Sequence, residues 1–132
     1  MTFELTILAW SLVLALVQIF LPAAGRTRQF GTKWNAGPRD HTPTERTPLT
    51  GRLERAQANL FETLPLFAAA VLIAHVAGRE NTLTAWGAGL YLASRVAFVI
   101  LYALGVPYVR SLAWIVGLVG LLMILVRILV PA

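Results

Sequence analysis

Four stretches of near-continuous hydrocarbon, at 5–24, 60–77, 83–104 and 111–130, dominate this 132-residue sequence. Each approaches the ~20 residues that an α-helix needs to cross the apolar core of a bilayer. A soluble bundle of four such helices would need a polar face on each, and none of the runs carries one. Charged residues make up only 13% of the chain, against 58% hydrophobic, too few to cover a water-facing surface. The expected fold is therefore an all-α membrane protein, a bundle of four transmembrane helices in a single domain spanning 1–132. Its helices fall at about 3–24, 51–77, 82–104 and 108–130, joined by a long first connection at 25–50 and two short turns.

The first run ends in Leu21-Pro22-Ala23-Ala24, small residues that could suit a signal-peptide cleavage site. Signal peptides open with positive charge, however, and the early side-chain charge here is Glu4, so the run reads as a retained helix. Basic residues then set the orientation. Arg26, Arg28, Lys33, Arg39 and Arg46 lie in the first connection, Arg52 and Arg55 at its far edge, and Arg110 between the third and fourth helices. The opposite side has Arg79 and Arg127. By the positive-inside rule the long connection is expected in the cytoplasm and both termini outside, in a multi-pass protein of a bacterial-type inner membrane. This asymmetry accounts for the net charge of +5 without a nucleic-acid partner, which would need a basic, water-facing domain.

The chain has no cysteine, so thiolate metal sites and disulfides are excluded. His41 and His75 are expected on opposite sides of the bilayer, with no carboxylate spaced to join either, so no metal site is expected and His75 reads as interfacial. Gly31, Gly37, Pro38, Pro43 and Pro48 argue for an irregular long connection. Connections of this length are commonly functional or disordered. Thr50-Gly51-Arg52 resembles the start of the second helix, Asn81 and Thr82 can cap the third, and Gly105-Val106-Pro107 breaks it from the fourth.

Polar residues interrupt the second helix in the stretch RAQANLFETLP, residues 55–65. At 100° per residue, Arg52, Arg55, Asn59 and Glu62 fall within an arc of about 80°, and Leu66, Ala69 and Ile73 continue the same stripe. A charge at bilayer depth costs roughly 2.5–3.5 kcal/mol, so it normally faces a partner or a wet cavity. Polar groups that merely hold helices together gain about 0.6 kcal/mol each, which explains one asparagine better than two arginines and a glutamate. Pro65 removes the hydrogen bond to the Phe61 carbonyl and is expected to kink the helix just beyond the stripe. On the third helix Tyr91, Arg95, Phe98 and Tyr102 share a face, and Glu62 is the leading anionic partner for Arg95 by sign. Arg110-Ser111 opens the fourth helix at the same depth as Arg52, Arg55, Asn59 and Tyr102. Arginines there would bind carboxylates bidentately, and a nearby cation or hydroxyl would lower a thiol's pKa.

These elements resemble the MAPEG family, the membrane-associated proteins in eicosanoid and glutathione metabolism. The likeness rests on Arg55-Ala56, Asn59, Glu62 and Pro65 in the second helix, Arg95 followed by Tyr102 in the third, and Arg110-Ser111 opening the fourth. It implies a homotrimer with glutathione as co-substrate between adjacent subunits near the cytoplasmic face. Arg52, Arg55, Asn59, Glu62 and Arg95 would then hold the tripeptide. Arg110 would stabilise its thiolate, with Ser111 or Tyr102 as second donor. Family members often carry His at the positions of Gln57 and Phe98, the prostaglandin-forming branch a second Arg at that of Ala58, and the eicosanoid branches a Tyr near Trp114-Ile115. Their absence points to a general member of the family. The implied activity is conjugation or reduction of lipophilic electrophiles by glutathione, with the bilayer delivering the substrate. The alternatives are a non-catalytic membrane subunit that binds another membrane protein or lipid, and, more weakly, a small transporter.

Overall fold

A computed structural model describes residues 1–39 and 47–130. His41, Pro43 and Arg46 lie outside the described residues. The chain forms α1 (Phe3–Phe30), α2 (Thr32–Ala36), α3 (Pro48–Val76), α4 (Thr82–Ala103) and α5 (Val109–Leu129). All but α2 are long and apolar enough to cross a membrane. The α1–α3 connection and the α4–α5 turn lie at one end of the bundle, and the N-terminus and the α3–α4 turn at the other.

Local chemistry sets the boundaries. Thr2 caps α1 by accepting from the Leu5 amide at 3.3 Å. The expected end of this helix near residue 24 is too early, because α1 continues to Phe30 and stops at Gly31, whose φ is 93°. Gly25 does not break the helix; it makes room, since a Cβ there would run into the Thr50 side chain on α3. At the next residue, Arg26 Nη1 meets Glu54 Oε2 at 3.1 Å, so tertiary contacts carry α1 past its apolar run. The long connection is likewise not wholly irregular, since it holds the short α2.

The start of α3 also differs from expectation. Thr47, not Thr50, is the cap: its Oγ1 accepts from the Thr50 amide at 3.3 Å, and Pro48 takes the first turn, where its missing N–H costs nothing. The helix then runs on through Pro65 to Val76. On α4, Asn81 and Thr84 form a reciprocal capping box.

The core is inverted relative to a soluble protein in what surrounds it. Leu60, Phe67, Val71, Ala74, Tyr91 and Ile124 are buried, while Trp10, Leu16, Phe20, Leu72 and Leu122 lie on the exterior, as lipid contact requires. Phe67 and Tyr91 stack at 4.0 Å, and the Tyr91 hydroxyl lies 2.9 Å from that of Thr63. The backbones of α4 and α5 come close together: a Cβ on Gly87 would lie 2.5 Å from the Gly120 carbonyl oxygen, and one on Gly120 equally close to that of Gly87. Lipid supplies no hydrophobic drive for helices to associate, so backbones meeting at small residues maximise dispersion contact instead.

At the end opposite the long connection, the α3–α4 turn folds back through Gly78, whose φ is 67°. It brings Glu80 Oε1 to 3.0 Å from His75 Nδ1, while Glu80 Oε2 accepts from Thr2 Oγ1 at 2.6 Å. The expectation that His75 has no carboxylate partner is thus corrected. A reversal of the chain, rather than helical spacing, makes the pair. Glu4, buried on α1, accepts from Thr84 Oγ1 nearby at 3.4 Å.

Gly120→Ala should lower the thermal midpoint in detergent, by about 1–3 kcal/mol of overpacking against an immovable carbonyl. Gly89→Ala, whose Cβ would meet Phe3 at an ordinary 3.8 Å, should leave the midpoint unchanged or raise it. The Glu80 carboxyl is pushed up by burial, but hydrogen bonds from Thr2 and His75 outweigh that and hold it below its ordinary 4.5. A lowered carboxyl stabilises the fold above its unfolded value and loses that contribution as pH falls through the folded value. Melting scans below pH 4.5 should therefore show a steeper acid loss in wild type than in Glu80→Gln.

Candidate functional site

The amino-terminal half of α3, the carboxy-terminal half of α4 and the start of α5 converge at the long-connection end. They enclose a cleft of about 430 Å³ lined by Asn59, Phe98, Tyr102, Arg110, Ser111, Trp114 and Ile115. Tyr102 is its hub. Its phenol oxygen accepts from Arg55 Nε at 3.2 Å, and its ring carries the Arg110 guanidinium at 4.5 Å from the centroid. The Phe98 ring meets it edge-on at 5.4 Å. Two cations thus lean on one aromatic side chain, a favourable electrostatic arrangement for each. The result is a concentration of positive charge facing one opening.

The backbone at the start of α5 adds to this field. Tyr108 holds φ at 62°, in the left-handed region, and supplies no side-chain cap. The Val109 amide donates to the Pro107 carbonyl, and the amides of Arg110 and Ser111 that follow carry the positive end of the helix dipole without a side chain to neutralise it. Guanidinium, amide and hydroxyl donors at one mouth suit an anionic group. Phe98, Trp114 and Ile115 give the same cleft an apolar wall.

The residues singled out in the sequence separate into groups. Asn59, Tyr102, Arg110 and Ser111 line the cleft, and Arg55 joins it through Tyr102. Arg52 turns elsewhere. Its Nη1 reaches the Ala103 carbonyl at 3.5 Å and its guanidinium covers Gly105, where a Cβ would come within 2.9 Å of Cζ. There it complements the negative end of α4, where φ at Gly105 is 72°. Glu62 is exposed on the outward face of α3, and Leu66, Ala69 and Ile73 along the same stripe are exposed with it. Arg95 is 1% exposed and sits in the bundle interior.

The expected pairing of Arg95 with Glu62 is not made. Arg95 Nη1 donates to Asn59 Oδ1 at 2.8 Å, and its guanidinium lies 4.5 Å from the Phe98 ring centroid. Opposite sign is not enough to pair two residues when one side chain points inward and the other outward. Asn59, one turn earlier on α3, is on the side that faces α4.

Phe98, Trp114 and Ile115 were not anticipated as cleft residues. A signal for them existed in the spacing: Phe98 shares the face of Arg95 and Tyr102, while Trp114 and Ile115 follow Arg110 and Ser111 by one helical turn. Because Arg55 is solvent-exposed, Tyr102→Phe should cost no more than about 1 kcal/mol of stability. Tyr102→Leu also removes the ring beneath Arg110 and the edge contact with Phe98. Thermal unfolding should rank it below Tyr102→Phe.

Comparison with protein-family models matches residues 7–130 to that of the MAPEG family. Comparisons with curated proteins and with solved structures give no match.

Proposed function

Since the chain belongs to the MAPEG family, and is thereby an integral, multi-pass membrane protein related to glutathione or eicosanoid metabolism, we propose that it is a glutathione transferase or peroxidase acting on lipophilic electrophiles. The observation that carries the reading is the two-sided cleft, with Arg110, Ser111, Tyr102 and Asn59 on its polar side and Phe98, Trp114 and Ile115 on its apolar side. A polar, anionic thiol and a membrane-dissolved partner have to meet at such a boundary.

Glutathione binds with its carboxylates toward the donors at the mouth, including Arg55. Its thiol, which ionises near pH 8.5 when free, loses its proton to water more readily beside the Arg110 cation and the α5 amides. A hydroxyl from Ser111 or Tyr102 donates to the thiolate sulfur. In conjugation, the thiolate forms a carbon–sulfur bond and expels the leaving group with its electron pair. In peroxide reduction, it attacks the distal oxygen of a lipid hydroperoxide and breaks the O–O bond, and the alkoxide that leaves with the electron pair takes a proton from water to give the lipid alcohol. A second glutathione then converts the sulfenic product to glutathione disulfide and water.

The assembly is a homotrimer, with the site completed between adjacent subunits. Support comes from Glu62, a charged side chain exposed on the outward face of a spanning helix together with Leu66, Ala69 and Ile73. A carboxylate facing hydrocarbon is costly, and a neighbouring subunit covers it. The site faces the cytoplasm, because Arg26, Arg28, Lys33, Arg39, Arg52, Arg55 and Arg110 gather at its end of the bundle against Arg79 and Arg127 at the other. Membership of a bacterial-type inner membrane follows the same reading.

Arg110→Ala should reduce kcat for conjugation of a hydrophobic aryl halide roughly 10²–10³-fold, the usual cost of losing one donor to a developing negative charge. The oligomer, followed by size-exclusion chromatography with light scattering, should remain intact. Calorimetric titration of purified wild type with glutathione, repeated with Arg55→Ala, tests binding directly. No heat of binding in wild type would sink the enzyme reading. A stoichiometric second protein retained in mild detergent would then favour a non-catalytic membrane subunit.

A further inference from the structure

Arg95 is the largest fully buried side chain among the described residues, at 1% exposure, and it is not part of the cleft lining. Its Nη1 donates to Asn59 Oδ1 at 2.8 Å, and Nε and Nη2 meet no acceptor among the described residues. The cavity beside it, of about 10 Å³ and bordered by Thr63, Tyr91 and Trp114, has room for one water at most. The Phe98 ring packs against the guanidinium at 4.5 Å and restricts its position. Arg95 is therefore held firmly, and its contact with the cleft passes through Asn59.

A guanidinium has donors and no acceptor, whereas a carboxamide has one acceptor oxygen and a two-proton nitrogen. The amide of Asn59 can face Arg95 only with its oxygen, so the alternative flip would set donor against donor. We infer that Arg95 is a positioning residue that locks the Asn59 amide with Oδ1 inward and Nδ2 toward the cleft, so that this wall accepts only a hydrogen-bond acceptor from the ligand. The ligand atom at that point is a carboxylate or amide carbonyl oxygen, and an ammonium group is rejected there. This deepens the glutathione reading and rests on it for the identity of the ligand: of the tripeptide's charged ends, a carboxylate is turned toward Asn59 and the amino group is kept away. It also accounts for a charge buried in a spanning helix with no ion pair among the described residues. The guanidinium sets the polarity of a neighbour.

Arg95→Met opens the interior around the cavity and endangers the fold, so Asn59→Asp carries the test. It is isosteric, keeps an oxygen toward Arg95, and exchanges the outward donor for a second acceptor. Full-length wild type and variant are titrated calorimetrically with glutathione and with the α-linked tripeptide Glu-Cys-Gly, and their thermal midpoints are compared. The expected result is a midpoint held or raised, with affinity for the bound tripeptide reduced at least about tenfold. Unchanged affinity in Asn59→Asp overturns the assignment while leaving the glutathione reading intact. Wild type that binds the α-linked peptide but not glutathione overturns the glutathione reading, and Asn59→Asp is then judged on that peptide. Wild type that binds neither overturns both. In steady-state kinetics Arg95→Lys, which retains a donor for Oδ1, should raise KM for glutathione and spare kcat. A folded Arg95→Lys with kcat reduced and KM unchanged contradicts a positioning role.

Discussion

Hydrocarbon offers no hydrogen bonds, so each polar group placed in a spanning helix has to be satisfied within the protein or cost several kcal/mol. That constraint organises this bundle. Ser11 and Ser94 return their hydroxyls to carbonyls on their own helices, and the hydroxyls of Thr63 and Tyr91 meet each other across α3 and α4. Most of the remaining charged groups collect at the ends, around Glu80 at one and Tyr102 at the other, while Arg95 stays in the interior and is held there by Asn59.

The two ends use charge differently. Around Glu80 a carboxylate is met by the hydroxyl of Thr2, the cap of α1, and the imidazole of His75 on α3, so its charge is consumed in tying the helices together. Around Tyr102 two guanidiniums share one aromatic ring, and the nearest groups of the cleft are further donors rather than carboxylates. Positive charge left uncompensated among the described residues is charge available to an anionic ligand. The close Gly87–Gly120 contact supports this arrangement from a distance, because it fixes how α5 lies on α4 and hence where Arg110 stands relative to Tyr102.

Much of this was legible in residue order. The spanning helices followed from run length, the start of α4 from Asn81, and the shared face of Tyr91, Arg95, Phe98 and Tyr102 from helical spacing. Each depends on physics that acts over one or two turns. The reading failed where a distant segment intervened. The extension of α1 to Phe30 relies on Thr50 and Glu54 of α3, and the partner of His75 comes back through a turn. The cap of α3 is the closer miss, since Thr47-Pro48 is as good a local signal as Thr50-Gly51.

The polar stripe in RAQANLFETLP shows the division most directly. Sequence alone determined that Arg52, Arg55, Asn59 and Glu62 fall on one side of a helix, because a period of 3.6 residues is a property of the backbone. Only the tertiary structure decided that they do four different things. Arg52 closes the end of α4, Arg55 meets Tyr102, Asn59 receives Arg95, and Glu62 faces away from the bundle. An arc of about 80° is wide enough to straddle the boundary between a helix's packed and open sides, and the neighbouring helices set where that boundary runs.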